Sequence, residues 1–444
     1  MKIEELSRAV ADGTIDTVLV CMADMQGRLQ GKRMSGRHFL ESAVEDGVEA
    51  CCYQLATDVE MNTVGGYAMT SWEHGYGDFE WIPDLSSLCL IPWHEKTAAV
   101  MSDVLWSDHR PVAASPRQIL RAQLDRLAER GWKANAASEL EFIIFEDSYE
   151  QAWDSGYRGL TGANRYNVDY SMLGTSRLEP LIGRIRRSME AAGMYLEDSK
   201  GECNFGQHEI NFRYDEALVT CDQHTIYKNG AKEIAAQEGR SLTFMAKYDE
   251  REGNSCHLHL SLAAADGGEN VFAADDALFG SFLAGQIASA RELSLLFAPN
   301  INSYKRFAVG SFAPTAIAWG PDNRTCAFRV IGHGPGKRIE CRIPGGDVNP
   351  YLAFAGMIAA GLDGIDRGLT APAPLTGNAY ADTDHERVPS TLHEARDLFA
   401  ASALARRAFG DEVVDHYLNN ADVELTAFEA AVTDWERVRG FERL

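Results

Sequence analysis

Residues Asn302–Leu352 read NSYKRFAVGSFAPTAIAWGPDNRTCAFRVIGHGPGKRIECRIPGGDVNPYL and carry five arginines, Arg306, Arg324, Arg329, Arg338 and Arg342. The whole chain is acidic, with 65 Asp and Glu against 42 Lys and Arg, so this cationic cluster is a local exception. The planar fork of arginine pairs with two oxygens of a carboxylate or phosphate at once. Glu340 stands two residues before Arg342, and on a strand residues two apart share a face. An acid able to hold a metal and a base able to hold an anion then point into one space, which predicts a metal–phosphate site.

Partners for such a site recur upstream. Lys133–Glu146 reads as a strand with Glu139 and Glu141 on one face of an apolar run. Two like charges so placed repel unless a cation lies between them or water solvates them. Glu202 and Glu209 bracket a Gly-Gln turn inside GECNFGQHEINFRY, and strand ends meeting at a turn bring carboxylates together. His257 and His259, spaced by two in CHLHLSL, supply imidazoles. Each pair alone is equally a solvated or packed face. Jointly, five acids and a histidine on strand faces suit two divalent ions in mostly oxygen coordination, favouring Mg²⁺ or Mn²⁺ over Zn²⁺. Beside several arginines, such ions suit phosphoryl transfer. No P-loop or kinase-type Gly-rich signature is present, so an ATP site has another design.

Length and composition frame this reading. At 444 residues the chain predicts two domains, and 45% apolar with 24% charged residues allows a large core. The formal charge of −23 argues against nucleic acid and against an anionic membrane surface. Nine scattered cysteines without C-x-x-C spacing read as reduced thiols. MKIEELSRAVADGTIDTV reads as a charged helix and a strand rather than a signal peptide, so a cytoplasmic location is expected. No stretch reaches the roughly eighteen apolar residues of a membrane span.

Taken in order, the pattern predicts a helix at 3–11, a strand at Thr17–Met22, and a turn at Gln26-Gly27-Arg28 into a second strand. Asp24 is either a turn former or an exposed carboxylate at a strand end. Residues 58–84 read as loops and short strands in which Trp72, Tyr76 and Trp81 pack. A domain boundary is placed near 108–114, before the Pro116 helix. Further helices are predicted at 177–193, 222–239, 278–297, 392–409 and 412–436, and strands at 242–246 and within 253–262.

The motifs E-x-E at 139–141, ECNFGQHE at 202–209, HLHLS at 257–261, NSYKRF at 302–307, NRTCAFR at 323–329, RIECR at 338–342 and NPYLAFA at 349–355 follow one order. Together with MADMQGR they resemble the glutamine synthetase family along almost the whole chain. The resemblance implies an α+β fold: an N-terminal β-grasp domain (1–110) and a catalytic domain (111–444) with a curved antiparallel sheet flanked by helices. It implies homo-oligomers with active sites between neighbours of six-membered rings, two rings giving a dodecamer. Carried over by position, Glu141, Glu202 and Glu209 hold one metal, and Glu139, His257 and Glu340 another, with two or three ions per site. Arg306 and Arg342 grip glutamate carboxylates, with Gly253 in the glutamate loop and Glu141 beside it. Arg324 and Arg329 contact nucleotide phosphates and the transferred phosphoryl group. His259, Ser261 and Arg338 fall to the ATP side, and Tyr214 packs on adenine. Asp24 reaches a neighbour's active site and helps deprotonate the amine.

Two departures bear on function. The family flap reads like G-x-E-A-P, with a Glu that helps bind ammonium, whereas this chain has Gly310-Ser311-Phe312-Ala313-Pro314. A phenyl ring offers apolar contact and neither charge nor a proton acceptor. Before His257 the family has Asn-Gly-Ser-Gly, and this chain has Glu252-Gly253-Asn254-Ser255 with shorter spacing, so either Glu252 or Asn254 takes the amine-holding role. The reading is an ATP-dependent ligase that joins the γ-carboxyl of glutamate, through γ-glutamyl phosphate, to a small primary amine. MADMQGRLQGKR and TFMAKYDEREGNSCH are most similar to γ-glutamylethanolamide-type ligases, which puts ethanolamine first; polyamines, isopropylamine and aniline are alternatives. A glutamine synthetase using ammonium and an inactive nitrogen-sensing paralogue are the competing readings. Tyr380 in GNAY lies where some members are adenylylated, but its flanking residues differ and that modification is not expected.

Overall fold

The computed structural model describes residues 1–444. Thr17–Ala23 (β1) and Leu29–Ser35 (β2) form an antiparallel hairpin. In its turn Gly27 takes φ +74°, and a Cβ there would sit 3.0 Å from the Asn349 Cα. Only glycine meets both the angle and the close approach. Val48–Cys51 (β3), Asp78–Pro83 (β4), Cys89–Leu90 (β5) and Thr97–Trp106 (β6) complete a six-stranded sheet, ordered β2-β1-β6-β4-β3 with β5 on β6.

The second sheet has nine strands: Trp132–Phe145 (β7), Leu196–Gly201 (β8), Gln207–Phe212 (β9), Asp215–Glu216 (β10), Ser241–Thr243 (β11), Cys256–Ala264 (β12), Trp319–Pro321 (β13), Phe328–Ile331 (β14) and Arg338–Cys341 (β15). Their order is β13-β14-β15-β12-β7-β9-β8, with β10 and β11 also on β7. Helices Pro116–Ala128 and Ala217–Gln237 pack on β7, Pro350–Asp366 packs on both of them, and Asp276–Ser289 packs on Pro350–Asp366. One cluster of 94 buried apolar residues runs from Val18 and Trp81 to Leu258 and Phe354, so the two sheets share a continuous core. The junction also carries charge. The Arg117 guanidinium is buried and bonds Asp84 at 2.7 Å, Asp222 at 2.9 Å and also Asp103. Asp103 lies on β6, Asp84 directly follows β4 and Asp222 lies on the Ala217–Gln237 helix, so one side chain ties both parts together.

Several boundaries differ from the sequence expectation for local reasons. The strand expected at 242–246 stops at Thr243, because the Asn254 side chain takes the carbonyls of Thr243 (3.3 Å) and Met245 (2.9 Å). The helix at 392–409 is two, Leu392–Ala401 and Ala403–Phe409, since Ser402 Oγ caps the second by accepting from the Ala405 N–H at 2.9 Å. Likewise the last helix ends at Ala430, and Thr433 caps a separate Asp434–Gly440 turn. The 278–297 segment divides into Asp276–Ser289 and Ser294–Phe297. The 222–239 helix begins earlier, at Ala217. Trp81 is core, but Trp72 is exposed, edge-on to Tyr76 at 5.1 Å, so its expected packing role is not found.

Candidate active site

The register of the second sheet explains why acids spread over 200 residues converge. Glu141 on β7 lies opposite Glu209 on β9, and Glu139 on β7 opposite His257 on β12. His259 on β12 lies opposite Glu340 on β15, which in turn faces Arg329 on β14. Directly opposed residues hold their Cβ atoms about 5 Å apart, so five adjacent strands deliver these side chains to one face. Above them is a cavity of about 560 Å³. Of the sequence-derived residues, Glu139, Glu141, Glu202, Glu209, Gly253, His257, Phe312, Arg324, Arg329 and Arg342 line it.

Two sets of metal-ligating atoms emerge. Carboxylate oxygens of Glu141, Glu202 and Glu209 lie within 4.8 Å of one another. Glu141 is oriented by the Ser255 N–H (2.7 Å) and by Gln207 Nε2 (3.1 Å). Burial, reinforced by the Glu141 charge, raises the Glu209 carboxyl from 4.5 to about 8. Lys200, which sequence reasoning missed, brings its ammonium onto Glu202 and within 3.8 Å of Glu209, supplying the local counter-charge. In the second set Glu139 meets His257 Nδ1 at 3.1 Å and His259 Nε2 at 2.8 Å. Burial opposes ionisation of Glu139, yet the two histidines hold it well below the usual carboxylate range. Glu340 is fully buried, 3.7 Å from His257 Nδ1, bonded by Arg329 at 2.8 Å and by Arg342. The ligand atoms of Glu139, His259 and Glu340 lie within 4.8 Å of one another, so His259 stands in this cluster where the sequence reading had His257, and His257 lies beside it. Burial, then the Arg342 charge, depress His257, keeping its imidazole neutral as metal ligation requires. Its Nε2 is buried without a partner. Buried carboxylate oxygens beside imidazole nitrogens form a donor set that fits a divalent cation.

The loop that carries Gly253 is fixed by close packing. A Cβ on Gly253 would lie 2.2 Å from the Ala246 carbonyl oxygen. Gln207 Nε2 also donates to the Gly253 carbonyl (2.9 Å) and to Asn254 Oδ1 (3.0 Å). Asn254 is completely buried with its amide spent on Thr243, Met245 and Gln207, so it faces no ligand. Glu252 lines the cavity, half-buried, and its carboxylate has no hydrogen-bond or ion-pair partner among the contacts of the chain. Of the two residues the sequence left open, Glu252 is the one that faces the cavity.

Other residues, Phe312 excepted, lie apart from the cavity wall. Asp24 is 1% exposed, and its carboxylate accepts from the Gln26 N–H (3.0 Å), the Arg28 N–H (2.8 Å), Arg28 Nε (2.7 Å) and Gln30 (3.0 Å). It is a turn former, not an exposed strand-end acid. Arg306 is buried beneath Gly253, with Nη2 on the carbonyls of Arg342 (3.1 Å), Ile343 (2.7 Å) and Pro344. Its Nε and Nη1 are buried without partners, and burial lowers its pKa to about 10, still cationic near neutrality. Arg338 Nε reaches His259 Nδ1 at 3.2 Å, behind the second set. Ser261 lies further along β12, and Tyr214 is exposed with Arg213 5.6 Å over its ring. Phe312 is 54% exposed at the cavity mouth, with φ +57°.

A two-cluster carboxylate–histidine floor on a curled mixed sheet, rimmed by arginines, defines a class of enzymes. The family model for the glutamine synthetase catalytic domain matches residues 113–439, and the chain belongs to the glutamine synthetase family. Within it, the chain is 62% identical over 445 aligned residues to the γ-glutamylethanolamide synthetase GlnA4 of Streptomyces coelicolor, covering 100% of this chain and 96% of that protein. It is 39% identical to a glutamate–isopropylamine ligase of a Pseudomonas species, over 96% of this chain and 95% of that one. The solved structure of a GmaS/ADP complex superposes with a TM-score of 0.87 at 26% identity, covering 98% and 99% of the two chains.

Proposed function

We propose that this chain is an ATP-dependent ligase that joins the γ-carboxyl of glutamate to a small primary amine, with ethanolamine as acceptor. The observation that carries the choice of amine is that Phe312, at the flap position where ammonium-using members hold an acid, lines the cavity. The ligation itself is supported by the relatives that act on glutamate and amines. The 62% identity to a γ-glutamylethanolamide synthetase supports ethanolamine in particular.

The cavity residues fit the two steps. A γ-carboxylate oxygen of glutamate attacks the terminal phosphorus of ATP, ADP leaves, and γ-glutamyl phosphate forms. The amine nitrogen then attacks the acyl carbon, phosphate departs, and the amine loses a proton. Glu141, Glu202 and Glu209 would hold one divalent ion, and Glu139, His257 and Glu340 a second, with Mg²⁺ or Mn²⁺ favoured by the oxygen-rich donors; such ions neutralise phosphate charge. Arg324 and Arg329 on the rim stabilise the phosphoryl oxygens, and Arg342 receives a glutamate carboxylate. Glu252 receives the glutamate ammonium as the uncommitted carboxylate of the loop. Phe312 lies against the methylenes of the acceptor and keeps water from the acyl phosphate. His259, Ser261, Arg338 and Tyr214 border the nucleotide side. For Asp24 to serve a neighbouring site, its carboxylate must give up Arg28 or Gln30.

We further infer residues 1–110 and 111–444 as the two domains, and assembly into stacked six-membered rings. The apolar C-terminal side chains Trp435, Val438 and Phe441 are 65–94% exposed, which supports burial against other copies. All nine cysteines are free, which supports a cytoplasmic setting. The test is ADP release from glutamate and ATP across a panel of amines, with product mass determined. Rapid turnover with ethanolamine and slow turnover with ammonium is expected. Efficient glutamine formation with no organic amine used would overturn the reading.

A further inference from the structure

The flap that carries Phe312 is held by its backbone rather than by its side chain. We propose that Tyr380 is a positioning residue whose hydroxyl clamps this flap shut over the acyl phosphate. The inference rests on the ligase reading above and adds how water is kept out of the reaction.

Three observations lead to it. First, residues 308–312 are mostly exposed, and two of them, Gly310 (φ +79°) and Phe312 (φ +57°), occupy the left-handed region. A non-glycine aromatic residue stays there only when its surroundings hold it. Second, the holding contacts are to two consecutive carbonyls. Arg342 Nη2 donates to the Phe312 carbonyl at 3.3 Å, and the Tyr380 hydroxyl donates to the Ala313 carbonyl at 3.1 Å. Third, both clamps are anchored to the site. Arg342 also bonds Glu340 in the metal cluster. The Tyr380 turn is tied to the loop that bears Arg324: the Ala379 N–H donates to Thr325 Oγ1 at 2.9 Å and Asn323 Nδ2 to the Gly377 carbonyl at 2.8 Å.

The chemistry gives this clamp a purpose. A flap acid could be drawn shut by the charges it meets. A phenyl ring has no such pull, so closure must come from groups that hold the main chain. If the flap opens while γ-glutamyl phosphate is present, water oxygen adds to the acyl carbon and the carbon–oxygen bond to phosphate breaks. Glutamate is regenerated, and the net change is ATP and water to ADP and phosphate. A loose flap therefore wastes ATP.

The test is Tyr380→Phe, which keeps the ring and removes the hydroxyl. Phosphate released per amide formed is measured with saturating glutamate and ATP, alongside KM for each substrate. Hydrogen exchange of the 308–314 amides is followed in parallel. In the unaltered enzyme the ratio is expected to be near one. The variant is expected to raise it at least threefold at sub-saturating ethanolamine and to raise the amine KM several-fold. KM for ATP and glutamate should stay in place, and exchange should speed up in the flap alone. A ratio still near one with flap exchange unchanged overturns the clamp. So does a uniform loss in kcat with faster exchange across the whole chain, which marks a merely structural role. If the unaltered enzyme makes no amide with any amine, the ligase reading fails, whereas the exchange result still decides whether Tyr380 holds the flap.

Discussion

Replacing Phe312 with glutamate should redirect the nitrogen donor, and the structure sets the size of the effect. The ring is 54% exposed and lines the cavity, so it offers one face to an acceptor. Ethanolamine has two methylenes, worth about 0.8 kcal/mol each when fully buried, and covering them on one side contributes roughly half, about 0.8 kcal/mol. Setting those methylenes beside a carboxylate instead strips water from the charge, at a cost of about 1 kcal/mol. The sum, close to 2 kcal/mol, corresponds to about a 30-fold fall in kcat/KM for ethanolamine. The carboxylate separately attracts the ammonium ion, and a charged hydrogen bond of about 1.5 kcal/mol raises its kcat/KM roughly tenfold. Backbone strain does not confound the comparison, since φ +57° is as costly for Glu as for Phe. The assay is kcat/KM for both amines by ADP release, with glutamine and γ-glutamylethanolamide separated by mass. A Phe312→Glu enzyme with normal KM for ATP, whose preference moves less than threefold, would refute the apolar-pocket argument.

Three further outcomes follow from named contacts. Arg117→Met leaves Asp84, Asp103 and Asp222 without their buried partner, so thermal or urea unfolding should show a loss of about 3–5 kcal/mol; a change below 1 kcal/mol would mean the junction does not depend on this network. Glu209 titrates at about 8 rather than 4.5, so between those values the metal-free protein holds a proton that its unfolded chain has lost. Its stabilising contribution is complete below pH 4.5 and disappears as pH rises through 8, while metal binding must expel that proton. The rise in melting temperature on adding Mn²⁺ should therefore be larger at pH 8.5 than at pH 6, and a pH-independent rise would contradict the assignment. Glu252→Gln should raise KM for glutamate at least tenfold with KM for ATP unchanged, and equal KM values would remove Glu252 from the glutamate subsite.

Much of the site could be read from the chain because strand periodicity is local. Glu139 with Glu141, His257 with His259, and Glu340 with Arg342 each sit two apart, and the sheet register then places them on one face. Contacts between distant segments gave no such signal. The Tyr380 bond to Ala313 spans 67 residues, and the ties of Asn254 to Thr243 and Met245 were needed to separate it from Glu252. Asp24 stayed open between a turn former and an exposed acid because its partners, Arg28 and Gln30, fold back around the hairpin turn. Lys200 was passed over because a basic residue beside two metal-ligating acids looks out of place until its ammonium is seen among them. The Pro350–Asp366 helix was not predicted, since it is buried on nearly every side and so lacks an amphipathic stripe. The break at Ser402 had a readable signal in its capping serine, which the longer apolar pattern masked.

The most direct test of the account is a competition in which the enzyme, loaded with glutamate and ATP, meets ammonium and ethanolamine at equal concentration. The cavity described here predicts γ-glutamylethanolamide in large excess over glutamine. Glutamine as the main product would contradict an acceptor pocket built around Phe312.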